Sequence, residues 1–404
     1  MLERALTLSV VLALMSACGH KRPTVRQAER GAREFSEALP FSQNVVDTRV
    51  ADVLKAAAAR PPASPSKEPG ATNPMVHQFG RQLVDGRGEP LRLVGVNLGG
   101  AYLWEAWIWG GEILRLSRNT ETTIRTGLTD LLGASATSAF ATQVYDRYIT
   151  AEDFAAIAGM GFNTVRVPLN HRLFADGRGF AILDRLLGWA EASRVYVVLD
   201  LHSAPGGQSA SFPADPEPPL LWQSADRKDR TIALWRAIAA RYASRTIVAG
   251  YDLLNEPEPP RGEDLVVMYR DIIKAIRDVD RQHLIILEGS DSARDFSMFS
   301  GPIDPNSAYS FHMYTWFGEQ PEALVAKYAA VAQRHNLPLL CGEFGENQPA
   351  SIRASLDAID RPANATAGWS FWTWKKAIPA RYPALVGVRT TPDWTSVIQW
   401  ISAP

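Results

Sequence analysis

Six of the short apolar runs in this chain carry or deliver a polar, ionisable or aromatic residue at or just past their ends. Arg166 lies in the second run, His202 just after the third, and Asn255-Glu256 at the end of the fourth. His312 and Tyr314 close the sixth, Glu343 the seventh, and Trp372 with Trp374 the eighth. Singly, each has an ordinary explanation. A glutamate after a strand is more often a solvated helix cap, a histidine there a satisfied core residue, and an arginine a structural rim ion pair. Together they bring two carboxyls, two imidazoles, a guanidinium and an indole to one rim. That set suits proton transfer by positioned side chains.

The elements that must hold these residues alternate. Strand candidates run over 91–98, 164–169, 195–201, 250–255, 284–289, 309–314, 338–344 and 368–374, each short and rich in β-branched or aromatic residues. Helical patterns occupy 151–158, 182–193, 229–243, 263–280, 321–335 and 351–359, with a last one around 394–401. The first opens on Thr150 and Asp153 in capping-box spacing and stops at Gly159 and Gly161. Eight strand–helix units predict parallel pairing and closure into an α/β (β/α)8 TIM barrel. The doubly wound open sheet is the alternative, but no glycine-rich dinucleotide turn follows the first strand. Active sites of such barrels lie where strands end, which is where these residues fall. Leu339, Cys341 and Glu343 share one strand face by parity, so Cys341 is expected to pack as a buried small hydrophobe beneath the site.

The 404 residues carry 42 Lys+Arg against 43 Asp+Glu, a formal charge of −1 that provides no basic field for nucleic acid. Two cysteines, Cys18 and Cys341, are too few for a disulfide framework. Arg4, an apolar run over 6–14, and Met15-Ser16-Ala17-Cys18 read as an export signal (residues 1–18) resembling that of a bacterial lipoprotein, with Cys18 as the lipidated residue. Residues 19–75, polar, Ala-rich and then Pro-rich, are expected to form a mostly disordered linker. The catalytic domain then spans 76–404. Resemblance to known sorting signals implies a bacterial outer-membrane anchor, because Gly19 rather than Asp follows the cysteine. An ordinary cleaved signal, leaving a periplasmic or secreted protein, and an uncleaved anchor are the alternatives, and the expected state is a monomer.

Seven motifs occur in order: Val94-Gly95-Val96-Asn97-Leu98-Gly99-Gly100, Asn163-Thr164-Val165-Arg166-Val167-Pro168, Asp200-Leu201-His202, Leu254-Asn255-Glu256-Pro257, His312-Met313-Tyr314, Gly342-Glu343-Phe344-Gly345, and the stretch from Gly368 to Lys375. This pattern resembles glycoside hydrolase family 5 from about Leu91 to Trp400. The resemblance implies that Glu256 is the acid/base and Glu343 the nucleophile. Arg166 and Tyr314 would hold the nucleophile, while Asn255, His202 and His312 would surround the sugar and the acid/base. Trp372 would lie under that sugar, with Trp374 of the same parity as the other candidate. The first strand and the Asp200–Gln208 segment are similar to the exo-β-1,3-glucanase branch, in which Glu105 would bind the terminal sugar. Neither cofactor nor metal is implied.

Glycoside cleavage with retention needs one protonated and one ionised carboxyl about 5–5.5 Å apart. Arg166 is expected to favour ionised Glu343, and burial beside a negative charge to raise the pKa of Glu256. The expected reaction is double displacement on β-glucans, β-1,3 or β-1,4 linked. Glucosyl lipids, mannans, transglycosylation and a non-catalytic carbohydrate-binding barrel remain as alternatives. Ala101 and Ala106 stand where that branch usually has Trp and Pro, and 110–142 is an insertion, so exo against endo action stays open.

Overall fold

The computed structural model describes residues 41–402 apart from 63, 64, 112–118, 317, 347, 379–383 and 391. Cys18 and the expected export signal lie outside the described residues. Before the barrel come β1 (Phe41–Val46), then β2 (His77–Phe79), β3 (Gln82–Val84) and β4 (Pro90–Leu91). The eight barrel strands are β5 (Leu93–Asn97), β6 (Thr164–Asn170), β7 (Tyr196–Ser203), β8 (Val248–Asp252), β9 (Leu284–Glu288), β10 (Ser307–Met313), β11 (Leu339–Phe344) and β12 (Gly368–Phe371). They close in sequence order, β12 pairing with β5, and every pairing is parallel. All eight expected strands are present, and closure rules out the open sheet.

Helices wrap the outside for the reason their sequences suggest. In Gly262–Arg277, Leu265, Met268, Tyr269, Ile272, Ile273 and Ile276 recur at three- and four-residue spacing and are buried. Its first turn carries Glu263 and Asp264 and its last Lys274 and Arg277, each favourable to the helix dipole. Asp153 accepts a hydrogen bond from the Thr150 N–H at 2.9 Å, as the capping spacing predicts.

The barrel interior has two levels. At the bottom, Leu93, Val198, Ala249, Leu284, Ile286, Ala308 and Leu340 form an apolar plug that Leu83 of β3 and Val76, just before β2, cover. Above it lies the polar layer described below. The plug takes Leu340, whereas Leu339 and Cys341 belong to the outer core with the helices. The expected parity of β11 is therefore corrected. The β10–β11 register pairs Phe311 with Cys341 but His312 with Glu343, skipping Gly342. This bulge returns Glu343 to the interior while Cys341 packs outward. A Cβ on residue 342 would lie 2.3 Å from Ser310 Oγ and 3.1 Å from His312 Nε2, so a larger residue would displace side chains of the polar layer.

The expected linker is also corrected from residue 41 on. β1 pairs antiparallel with β14 (Val386–Thr390), which pairs with β13 (Lys375–Ile378). Helix Thr48–Ala58 buries Val50, Val53, Leu54 and Ala57, and Asp47 caps it by accepting from the Arg49 N–H at 3.1 Å. An apolar stripe inside an Ala-rich, polar segment is enough to dock it.

Candidate active site

Arg166, inward-facing on β6, organises the polar layer. All five of its N–H groups donate hydrogen bonds. Nε reaches Asp252 Oδ2 at 2.8 Å, and Nη1 reaches Asn97 Oδ1 at 3.1 Å and Glu343 Oε1 at 2.8 Å. Nη2 reaches Asn255 Oδ1 and Glu288 Oε1, both at 2.9 Å. Asp200 Oδ2 lies 3.1 Å from Nη2. Four buried carboxylates thus converge on one guanidinium that is 2% exposed, which keeps its proton bound far beyond the usual arginine range despite burial.

Glu343 receives its second hydrogen bond, at Oε2, from the Tyr314 hydroxyl at 2.8 Å. Both oxygens accept, so the carboxylate is held from two sides. Glu256 lies across from it. Nδ1 of His312 is 2.8 Å from Glu256 Oε1 and 3.6 Å from Glu343 Oε2. Ligand-capable atoms of Glu256, His312 and Glu343 all fall within 4.8 Å of one another. Glu256 adopts φ +43°, a left-handed backbone unusual for any residue but glycine, and its N–H donates to Glu288 Oε2 at 2.7 Å. Strain of this kind, on the order of 1–3 kcal/mol, persists where the surroundings over-determine it.

The remaining expected residues fall around these two. His202 bonds Asp200 Oδ2 through Nδ1 at 2.7 Å and stacks on Trp372, ring centroids 5.4 Å apart at 21°. Trp374 is excluded from the site. β12 ends at Phe371, parity lapses beyond it, and the Trp374 indole is buried, donating to Asp153 Oδ1 at 2.9 Å. Glu105 is 3% exposed, its Oε2 accepting from Trp107 Nε1 at 2.6 Å, while Oε1 is buried without a hydrogen-bond partner. His202, Glu343 and Glu256 are all near enough to influence its charge. Cys341 is buried, with its thiol pushed far up by burial, as expected of a packing residue rather than a nucleophile.

A family model described as Cellulase (glycosyl hydrolase family 5) matches residues 129–378. The chain belongs to glycosyl hydrolase family 5. A probable glucan 1,3-beta-glucosidase A of Aspergillus niger is 31% identical over 343 residues, covering 70% of this chain and 82% of that protein. A beta-xylosidase of Phanerodontia chrysosporium is 34% identical over 270 residues, 64% of this chain and 55% of its own. With several such relatives the chain spans only about half of their length, 50% for a probable glucan 1,3-beta-glucosidase A of Emericella nidulans. Among solved structures, rutinosidase from Aspergillus niger superposes with TM-score 0.58 at 16% identity, over 76% of this chain and 96% of that one. That likeness speaks to the barrel fold.

On this family 5 barrel, Asn97, Asp200, Asp252, Glu288 and Gln208 were not singled out as working residues from sequence. Gln208 Nε2 holds the carbonyls of His202 and Asn255 at 2.8 and 2.7 Å. Asp252 and Glu288 each end an apolar strand, but nothing local separates them from an acid that opens a loop. The expectation for Glu256 is corrected. Burial raises its pKa, but the hydrogen bond and charge of His312 outweigh burial, and the net shift is downward. His312 shifts the opposite way. Burial disfavours its charge, yet Glu288, Glu343 and Glu256 raise its pKa well above the ordinary value. In the free protein the shared proton resides on the imidazole. A protonated His312 and the Arg166 guanidinium beside Glu343 also make the Glu256–His312–Glu343 group a poor cation site, despite its metal-like spacing.

Two carboxyls titrate near neutrality. Glu105 and Asp252 are both raised to about 7, in each case chiefly by burial. A folded-state pKa above the unfolded one means more bound protons in the folded state between the two. The stabilisation is complete below the unfolded value and is lost as pH rises through about 7. Thermal stability is therefore expected to decline between about pH 5 and 8, and Glu105→Gln to flatten the decline by as much as about 3 kcal/mol at the upper end. Parallel pH–stability curves for variant and wild type, measured by thermal unfolding, would contradict this.

Proposed function

We propose that the chain is a retaining glycoside hydrolase that cleaves β-glucosidic bonds in β-glucans from a chain end. The observation that carries the reading is the approach of Glu256 and Glu343 to within 4.8 Å across one buried polar layer. One oxygen of each carboxyl within 4.8 Å of the other fits the roughly 5–5.5 Å spacing of retaining pairs rather than the wider spacing of inverting ones. One oxygen of Glu343, whose carboxylate is oriented by Arg166 at Oε1 and Tyr314 at Oε2, attacks the anomeric carbon as the glycosidic C–O bond breaks, giving a glycosyl-enzyme. The His312–Glu256 pair holds one transferable proton. Glu256 draws it from Nδ1 as it passes a proton to the departing oxygen, then takes one from water and returns it to His312. Trp372, braced on His202, supplies the face for the sugar ring.

Buried Glu105, with Oε1 unpartnered and its charge influenced by His202, Glu343 and Glu256, supports end-on action, since a sugar hydroxyl would satisfy that oxygen. The relatives named glucan 1,3-beta-glucosidase support a glucan substrate. A hydrolysis screen across β-1,3- and β-1,4-glucans, mannans and glucosyl lipids, with product sizes resolved, tests this. Single sugars from β-glucan are expected; mainly long oligosaccharides, or cleavage of mannan alone, would overturn it. We further propose that Cys18 is acylated and tethers a monomeric enzyme to the outer membrane, because an apolar run ends there at Ala17-Cys18. Absence of acyl chains from Cys18 in the mass spectrum of the mature protein would rule out the tether.

A further inference from the structure

The insertion after the first barrel strand is bonded to the backbone on both sides of Glu105. The Trp104 N–H donates to Glu121 Oε2 at 3.2 Å, and the Ala106 N–H donates to the Asn119 carbonyl at 3.1 Å. Glu105 lies between these two anchors. Glu121 is the first residue of helix Glu121–Leu132 and is fully buried. Its other oxygen takes Arg125 Nε at 2.7 Å, and the Arg125 guanidinium lies 4.0 Å above the Trp104 ring.

The same carboxylate also reaches the rim. Asn170, the last residue of β6 and of the same parity as Arg166, divides its amide between Glu121 Oε2 and Asp215 Oδ2, each at 3.1 Å. Asp215 accepts from the Thr122 N–H at 2.8 Å and from Arg172 Nε at 3.1 Å. Three segments, those bearing Glu105, Glu121 and Asp215, are thereby locked to the strand that carries Arg166. Each of the two buried carboxylates is balanced by an arginine, Glu121 by Arg125 and Asp215 by Arg172. Each directs its remaining hydrogen bonds at loop and helix backbone N–H groups and at Asn170, which fixes the geometry of these segments.

We infer that Glu121 is a positioning residue for Glu105: it sets where the terminal-sugar carboxylate stands relative to Glu343, and so sets the cleavage register. The inference rests on the role of Glu105 proposed above. A shift of about 1 Å in such a group lowers efficiency by up to roughly a hundredfold.

The test is a double-mutant cycle on folded, full-length enzyme, reading KM, kcat and product sizes on the β-glucan it cleaves. Glu105→Ala is expected to raise KM and broaden product sizes by roughly ten- to a hundredfold in efficiency. Glu121→Ala should reproduce that pattern, and adding it to Glu105→Ala should lower efficiency less than about twofold further. Should Glu121→Ala not fold, Glu121→Asp and Glu121→Gln decide the matter. The shorter acid withdraws from Trp104 and should broaden products, whereas the amide keeps the length and one acceptor oxygen for the Trp104 N–H at the expense of the Arg125 pair, and should broaden them less. Additive losses, or unchanged product sizes in Glu121→Asp, would overturn the positioning role while leaving Glu105 in place. An inert Glu105→Ala would overturn the Glu105 reading itself.

Discussion

Glu343→Gln is expected to abolish turnover while leaving the fold and sugar binding in place. The amide is close in size, and its oxygen can still accept from Arg166 or Tyr314, which donate to the wild-type carboxylate at 2.8 Å each. What it cannot do is attack the anomeric carbon and leave again. Removal of a covalent nucleophile lowers kcat by factors on the order of 10⁴–10⁶. Turnover close to that of wild type, in protein freed of deamidated material, would remove Glu343 from the reaction.

The second large effect concerns Arg166. Arg166→Met would leave Asp200, Asp252, Glu288 and Glu343 buried around an apolar side chain, together with the Asn97 and Asn255 amide oxygens. Breaking one buried ion pair costs about 3–5 kcal/mol, and here several partners lose the same cation, so a loss at or above that range is expected. The variant should be least destabilised at low pH, where the orphaned carboxyls take up protons, and progressively more so as pH rises. Arg166→Lys should rescue little, because one ammonium cannot make five directed bonds. Wild-type unfolding temperatures for Arg166→Met at neutral pH would show that the guanidinium is not what balances this layer.

Much of this architecture was legible in the chain. Each barrel strand is a short apolar run bounded by turn residues, and strand position alone put Arg166, His312, Tyr314, Glu256 and Glu343 at one rim. What was not legible depends on contacts between distant segments. Asp252 and Glu288 look like any acid opening a loop until Arg166 reaches across the barrel to them. The bulge at Gly342 breaks strict alternation, so Cys341 faces outward although it is two residues from Glu343. Trp374 shares the parity of Trp372, but the strand has ended by then. β1 finds its partner only in β14, at the other end of the chain, which no local pattern announces. The charge balance between Glu256 and His312 likewise follows from Glu288 and Glu343 standing near the same imidazole.

The central claim is that Glu343 forms a covalent bond to the sugar and that Glu256 works from within 4.8 Å of it. Proton NMR of the first sugar released from a β-linked glucan, recorded before mutarotation, tests this most directly. Two displacements predict β-anomer as the initial product. Initial α-anomer would mean a single displacement by water, and the two-glutamate scheme would have to be abandoned.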